Sequence, residues 1–350
     1  MKPINEYIKN PNLDTGGSLV TLSGPPGCGK TNSLVQLAIE RLEEGHKVIW
    51  RGTEQAEWIN FLANDKDVVI WKDENIESID AWVSQRNGDI ENVDVKEKVK
   101  EIKSFSSGDD LVERVEKEAV NVVLVPGLMG DTHEKYYFRK KWIEILKALI
   151  RRKDVAVPYS FFTDEGGDIW PCQQQLRKPF YKLVAEDTPP LLAKLRKQNV
   201  FMYIAAHSTH DLHYFVWKIK GNTIGYMSNS NVKRDIHTEV DQSKVNVLDR
   251  GELIVPPKDR ASFRLAYEAE DLEWVGRDNL LRMSWESDIP NLLEDEDDKE
   301  EDEEVKEIDV KKSIAKSLYL SDLDLSQSQV AGLLDMSQGS VSNAVNGAKG

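Results

Sequence analysis

Short, nearly unbroken apolar runs recur along the first two-thirds of the chain, at residues 19–23, 47–50, 68–71, 120–125, 159–163 and 200–205. Each has the length of a strand covered on both faces, and helical patterns lie between several of them. That alternation predicts an α/β fold with a mostly parallel sheet. After residue 211 the pattern shortens to extended pieces at 223–227, 252–255 and 262–266, which are expected to add strands to one edge. Residues 73–119 are charged and weakly patterned, and read as helices and loops inserted into the core.

Charge then marks a boundary. Residues 294–309 hold twelve acids and two lysines, too few apolar groups to bury and too much like charge to compact. Apolar periodicity resumes at Val310, and 325–346 reads as two short helices around a tight turn. The predicted organisation is a nucleotide-binding domain over 1–290, an acidic disordered linker over 291–309 and a small all-α helix-turn-helix domain over 310–350.

Composition changes this picture little. With 350 residues, 40% of them hydrophobic and 31% charged, the chain is large enough for an enzyme core. No run approaches the roughly 20 apolar residues of a membrane span, and the N-terminus lacks a signal-peptide pattern, so a cytoplasmic location is expected. The two cysteines, Cys28 and Cys172, form neither a disulfide framework nor a metal-ligand spacing. The formal charge of -15 is concentrated in the acidic run, so it does not exclude a nucleic-acid partner.

Chemistry enters at residues 24–31, which read GPPGCGKT after a strand-like run and before an amphipathic helix ending near Gly45. A phosphate loop needs glycines so that backbone N–H groups converge, a lysine for the terminal phosphates and a hydroxyl for magnesium. Gly24, Pro25, Pro26, Gly27, Cys28, Gly29, Lys30, Thr31 and Asn32 are the residues expected to bind ATP, with Thr31 on Mg2+. Hydrolysis also needs a second strand ending in acid. Residues 159–163 run into Asp164 and Glu165, so Asp164 is expected on the metal and Glu165 on the attacking water. The run at 120–125 ends in Pro126 and Gly127 and offers no such carboxylate. A neighbouring strand at 200–205 leads to His207 and Ser208, candidates for a sensor of the terminal phosphate. His207, His210 and His213 also fall at a spacing that invites a metal, without a matching carboxylate pattern.

The order of these parts resembles the FtsK and HerA superfamily of DNA-translocating P-loop ATPases, of the archaeal plasmid or virus kind. The long interval from Lys30 to Asp164, the stretch from Leu191 through Lys220, Gly221 and Asn222, and the segment from Leu248 to Lys258 carry the resemblance. His207 stands where that family usually has glutamine, and the loop spelling is commoner among AAA+ proteins. The resemblance implies a RecA-like P-loop NTPase fold, a homo-oligomeric ring, usually a hexamer, and an arginine acting across the subunit interface. Arg196 sits where the family carries that arginine, with Arg151 and Arg152 as alternatives.

Two segments offer contacts to DNA, expected to be double-stranded. Residues 135–142 interleave cations and rings, although Trp142, Ile145, Leu146 and Leu149 also have the spacing of a core helix. In the C-terminal module Ala331, Leu334, Met336 and Val341 fall where a helix-turn-helix packs, with Asp335 at the turn. Gln338, Ser340, Ser342 and Asn343 would then face DNA. The function expected is a DNA-associated ATPase motor. A replication initiator or helicase loader, and a nucleotide-switched transcription regulator, are the competing expectations.

Overall fold

The computed structural model describes residues 2–3, 17–84, 89–172, 180–218, 222–230, 240, 242–255, 260–262 and 280–292. The chain divides into two compact units, Met1–Pro290 and Asn291–Gly350. The helix-turn-helix expected at 310–350 and nearly all of the expected acidic linker lie outside the described residues, as do Lys220 and Gly221.

Fourteen strands are present among the described residues. In chain order the first seven are β1 (Lys2–Pro3), β2 (Leu19–Ser23), β3 (Lys47–Arg51), β4 (Val68–Asp73), β5 (Ile76–Ser84), β6 (Ile90–Asn92) and β7 (Glu101–Phe105). The rest are β8 (Val120–Leu124), β9 (Tyr159–Thr163), β10 (Val200–Ala206), β11 (Asn222–Met227), β12 (Glu252–Ile254), β13 (Arg260–Ser262) and β14 (Leu280–Ser287). The main sheet runs β1-β13-β12-β11-β2-β10-β9-β3-β8-β4-β7, and every pair from β11 to β7 is parallel. This mixed α/β arrangement, with its large and mostly parallel sheet, fits a RecA-like P-loop NTPase.

The six apolar runs of the first two-thirds all form strands of this sheet. β2, β8, β9 and β10 are buried along their whole length, which explains why they show no alternation. On one face Trp50, Phe162 and Tyr203 pack in a row across three adjacent strands, with centroids 6.0 and 4.5 Å apart. α1 (Lys30–Glu43) covers that face through Leu34, Val35, Leu37 and Ala38, and the short α2 (Ile59–Leu62) sets Phe61 against Trp50. Its Arg41 is buried against Tyr203, donating to the phenol oxygen at 2.6 Å. On the other face lies α4 (Thr132–Arg151), started by a capping box between Asp131 and Glu134.

Residues 73–119 depart from the helices and loops expected of them. Beyond the short helix α3 (Gly108–Arg114) they contain β5, β6 and β7. β7 continues the parallel sheet at its edge, while β5 and β6 join β14 in a separate antiparallel sheet. An edge sheet with a wet face tolerates charge at alternate positions, which blurred the apolar signal. Its partner strand lies some two hundred residues further along the chain. At the other edge, Arg260–Ser262 forms a strand, and the rest of the strand expected at 262–266 lies outside the described residues.

Two buried polar groups at the sheet find partners. Asn121 on β8 donates to the carbonyls of Val48, Glu116 and Ala119 and accepts from the Trp71 indole. His46 ends the turn into β3, within 2.8 Å of the Ser160 hydroxyl and beside the Phe201 ring. Burial, and then the charge of Arg41, hold this imidazole down at about 4, against an ordinary 6.5, with Glu44 opposing. The folded chain therefore refuses a proton that the unfolded chain accepts. The stability involved is whole above pH about 6.5 and falls as pH drops toward 4, by up to roughly 3 kcal/mol. Thermal midpoints across that window should show His46→Gln losing less stability than the unaltered chain.

Candidate active site

The site forms where the parallel strands end. Ser23 of β2 pairs in register with Ala206 of β10, and Ile204 of β10 with Thr163 of β9. Residues 164 and 165 thus emerge beside the last residues of β10, and the phosphate loop emerges on its other side. Gly24 begins that loop by donating its amide to the Ala206 carbonyl at 3.1 Å.

Gly29 stands at the N-cap of α1 with φ 104°, a left-handed conformation that suits glycine, and no side chain caps the helix. The first-turn amides therefore face the loop, at the end of the helix where the dipole favours an anion. A Cβ on Gly27 would meet nothing within 4 Å, so the loop borders open space there. Lys30 is buried and donates from Nζ to the carbonyls of Gly24 at 2.7 Å and Pro25 at 3.1 Å. Asn32 is half-buried in the first turn of α1. Cys28 points inward, its sulfur 3.9 Å from that of Met227, and burial pushes its thiol up.

Thr31 and Asp164, 133 residues apart, share a short hydrogen bond from the threonine hydroxyl to the carboxylate Oδ2. This hydroxyl and this carboxylate are hard oxygen donors side by side at a phosphate loop, which fits a magnesium ion retaining part of its water shell. Bound there with a nucleotide, the metal would neutralise charge on phosphate oxygens. Asp164 is buried; Glu165 beside it is half-exposed. Burial and the Asp164 carboxylate push the Glu165 carboxyl up, opposed by His207 and Lys30. Such a group is suited to taking a proton from water.

His207 joins the two halves. Its Nδ1 lies 3.3 Å from Lys30 Nζ and its Nε2 lies 3.1 Å from Glu165 Oε1. Lys30 has no acceptor, so Nδ1 accepts, and Nε2 carries the hydrogen toward Glu165. The three spaced histidines do not converge: His213 is buried elsewhere, 1% exposed, with neither ring nitrogen bonded. Among the described residues no group of three histidine, cysteine, aspartate or glutamate side chains could hold a metal.

Glu165 has φ 56° and ψ 59°, a left-handed backbone that costs a non-glycine residue roughly 1–3 kcal/mol. Arg51, at the end of β3, donates to the carbonyl of Asp164 at 2.6 Å and to Asp168 Oδ2 at 2.5 Å. Glu57 faces the same cleft, accepting from the Thr53 hydroxyl, and burial pushes its carboxyl up. Neither residue stood out in the sequence, since an arginine ending a strand and an acid in a polar loop carry no motif. The cleft holds about 1050 Å3 and is lined from Gly27 and Lys30 to Lys135, Arg139, Arg282 and Trp285.

The arginine candidates separate. Arg152 donates to the carbonyls of Leu149 at 2.7 Å, Val157 at 3.3 Å and Gln198, so packing occupies it. Arg151 is exposed and paired with Asp109 at 2.5 Å. Arg196 opens the short 3-10 helix Arg196–Gln198 just before β10, at the end of that strand opposite His207. Of residues 135–142, Tyr136, Tyr137, Phe138 and Trp142 are all buried, at 3% exposure or less, so these rings cannot stack on DNA. No described helix is long and apolar enough to cross a membrane.

No family model and no curated protein matches this chain. Solved structures do overlap it. The genome packaging NTPase B204 from Sulfolobus turreted icosahedral virus 2, in complex with AMP, is 12% identical, with 71% of this chain and 97% of that chain covered and a TM-score of 0.38. B204, the DNA-packaging ATPase from Sulfolobus turreted icosahedral virus, is 14% identical, with 69% and 92% covered and a TM-score of 0.35. The N-terminal domain of zonular occludens toxin from Neisseria meningitidis is 12% identical, with 60% and 76% covered and a TM-score of 0.25. Similarity at this level assigns the chain neither an activity nor a partner.

The two cysteines report on the loop's packing. A thiol reagent should label the half-buried Cys172 in the folded protein and Cys28 only after unfolding. Rapid labelling of both in the folded protein would contradict the inward placement of Cys28.

Proposed function

We propose that this chain is an ATP-hydrolysing motor that acts on DNA. One observation carries the ATPase: Lys30, Thr31, Asp164, Glu165 and His207, from three separate strand ends, meet in one hydrogen-bonded network. In this reading the loop amides and Lys30 hold the phosphates, and Thr31 and Asp164 hold magnesium. Glu165 accepts the proton of the attacking water, while His207 registers the terminal phosphate. The DNA partner is supported by the sequence, through the resemblance of the core and the helix pair expected at 310–350.

A ring with ATP between neighbours follows from the same resemblance. Arg196 supports it in one respect. β10 separates Arg196 from His207 by seven residues, or about 23 Å of strand, so a catalytic role for Arg196 is one exercised on a neighbour.

Lys30→Ala should abolish tight ATP binding, whereas Glu165→Gln should bind ATP and turn it over about 10²–10⁴-fold more slowly. ATP binding and steady-state hydrolysis measured on both variants check this, and normal turnover by Glu165→Gln would overturn the assignment.

Motor and regulator diverge in what DNA does. Long double-stranded DNA of any sequence should stimulate hydrolysis by the motor. A chain ending at residue 292 should bind DNA more weakly yet keep stimulated turnover at saturating DNA. If that chain folds and binds ATP but neither binds DNA nor responds to it, at a stated salt concentration, the regulator reading replaces the motor.

A further inference from the structure

Asp164 and Glu165 must present two carboxylates in different directions from consecutive positions. The left-handed backbone at Glu165 achieves this, and a residue other than glycine keeps such a conformation only where its surroundings impose it. Arg51 reaches this turn from another strand, beside the turn's own bonds from the Thr163 hydroxyl to the Asp164 carbonyl at 3.1 Å and from the Asp168 amide to the Glu165 carbonyl at 3.0 Å. It extends from β3, whose Trp50 pairs in register with Phe162, so its guanidinium arrives just beyond the end of β9.

Its contacts fall on the backbone of the two acids and on one further carboxylate. Arg51 is 1% exposed and donates to the carbonyls of Asp164 at 2.6 Å and Glu165 at 3.4 Å, and to the Asp168 carboxylate at 2.5 Å. Arg139 of α4 also donates to the Asp168 carbonyl at 3.0 Å. The end of β3 cannot swing away. Gly52 donates to the Val123 carbonyl at 2.9 Å, and a Cβ there would lie 2.4 Å from Leu124 Cδ2. The Phe138 ring lies 5.4 Å from the guanidinium and shields it.

We propose that Arg51 is a positioning residue of the nucleotide site: through the backbone at 164 and 165 it aims Asp164 at magnesium and Glu165 at the attacking water. This rests on the ATPase reading above. Arg51 touches neither metal nor phosphate in this scheme. Its pairing with Asp168 fixes the guanidinium plane, and the forked donors then fix the turn, a geometry that one ammonium cannot reproduce.

The test uses the full chain and a fluorescent ATP analogue, titrated in EDTA and at graded magnesium chloride. Arg51→Gln should raise the magnesium needed for half-maximal tightening about 10–100-fold and slow turnover by a similar factor. Affinity in EDTA should stay unchanged, because the phosphate loop is untouched. Asp168→Asn should act in the same direction, and the double variant should be no worse than Arg51→Gln alone. Should Arg51→Gln fail to fold, Arg51→Lys, which retains the buried charge, and the more exposed Asp168→Asn carry the same readouts.

Unchanged magnesium dependence in folded variants would overturn the inference and leave the ATPase reading standing. An equal loss of affinity in EDTA would also overturn it, by showing a general collapse of the site. Unaltered protein that binds no nucleotide would overturn both.

Discussion

Parallel pairing of β10 with both β2 and β9 sets the distance between the phosphate loop and the acidic turn. Strands lie about 4.8 Å apart, so a single intervening strand holds the two neighbours' backbones roughly 10 Å from each other. Side chains from Thr31 and Asp164 meet across that gap, and His207 rises from the strand between them. Were β2 and β9 adjacent, the imidazole would have no place. Were they further apart, the hydroxyl and the carboxylate would not touch.

That spacing holds because the sheet beneath is closely packed on both faces. Trp50, Phe162 and Tyr203 belong to the three strands β3, β9 and β10, and their stacking resists any sliding of one strand past another. Truncating one such ring to alanine in a core costs about 3–5 kcal/mol. Arg41 adds a polar tie from the phosphate-loop helix to the middle of β10. A shift of the helix that carries Lys30 and Thr31 is thus felt by the strand that carries His207. Rigidity here belongs to the scaffold, and adjustment is left to the side chains above it.

Much of this was legible in the sequence, for identifiable reasons. β2, β9 and β10 are mostly apolar because both faces are covered, and the glycines, lysine and threonine of residues 24–31 stand at the spacing that a phosphate loop requires. Asp164 and Glu165 were legible because they follow a buried strand directly. Arg51 and Glu57 were not, since their significance comes from which strand end they stand beside, and that is fixed only when β3 pairs with β9. β5 and β6 were missed for a related reason: their pairing partner, β14, is remote and their exposed faces are charged. Residues 135–142 carried two patterns at once, and the buried face of α4 follows the core spacing of Trp142, Ile145, Leu146 and Leu149 and not the interleaved cations and rings.

Glu165 keeps a backbone conformation that asparagine or glycine would adopt at lower cost. Under its proposed role in hydrolysis, chemistry and foldability pull in opposite directions at this one position. A lineage under selection for turnover must retain an acid there despite the strain, whereas a lineage that kept the fold only to bind nucleotide would be free to relax it. The identity of a single residue thus becomes a record of which demand prevailed.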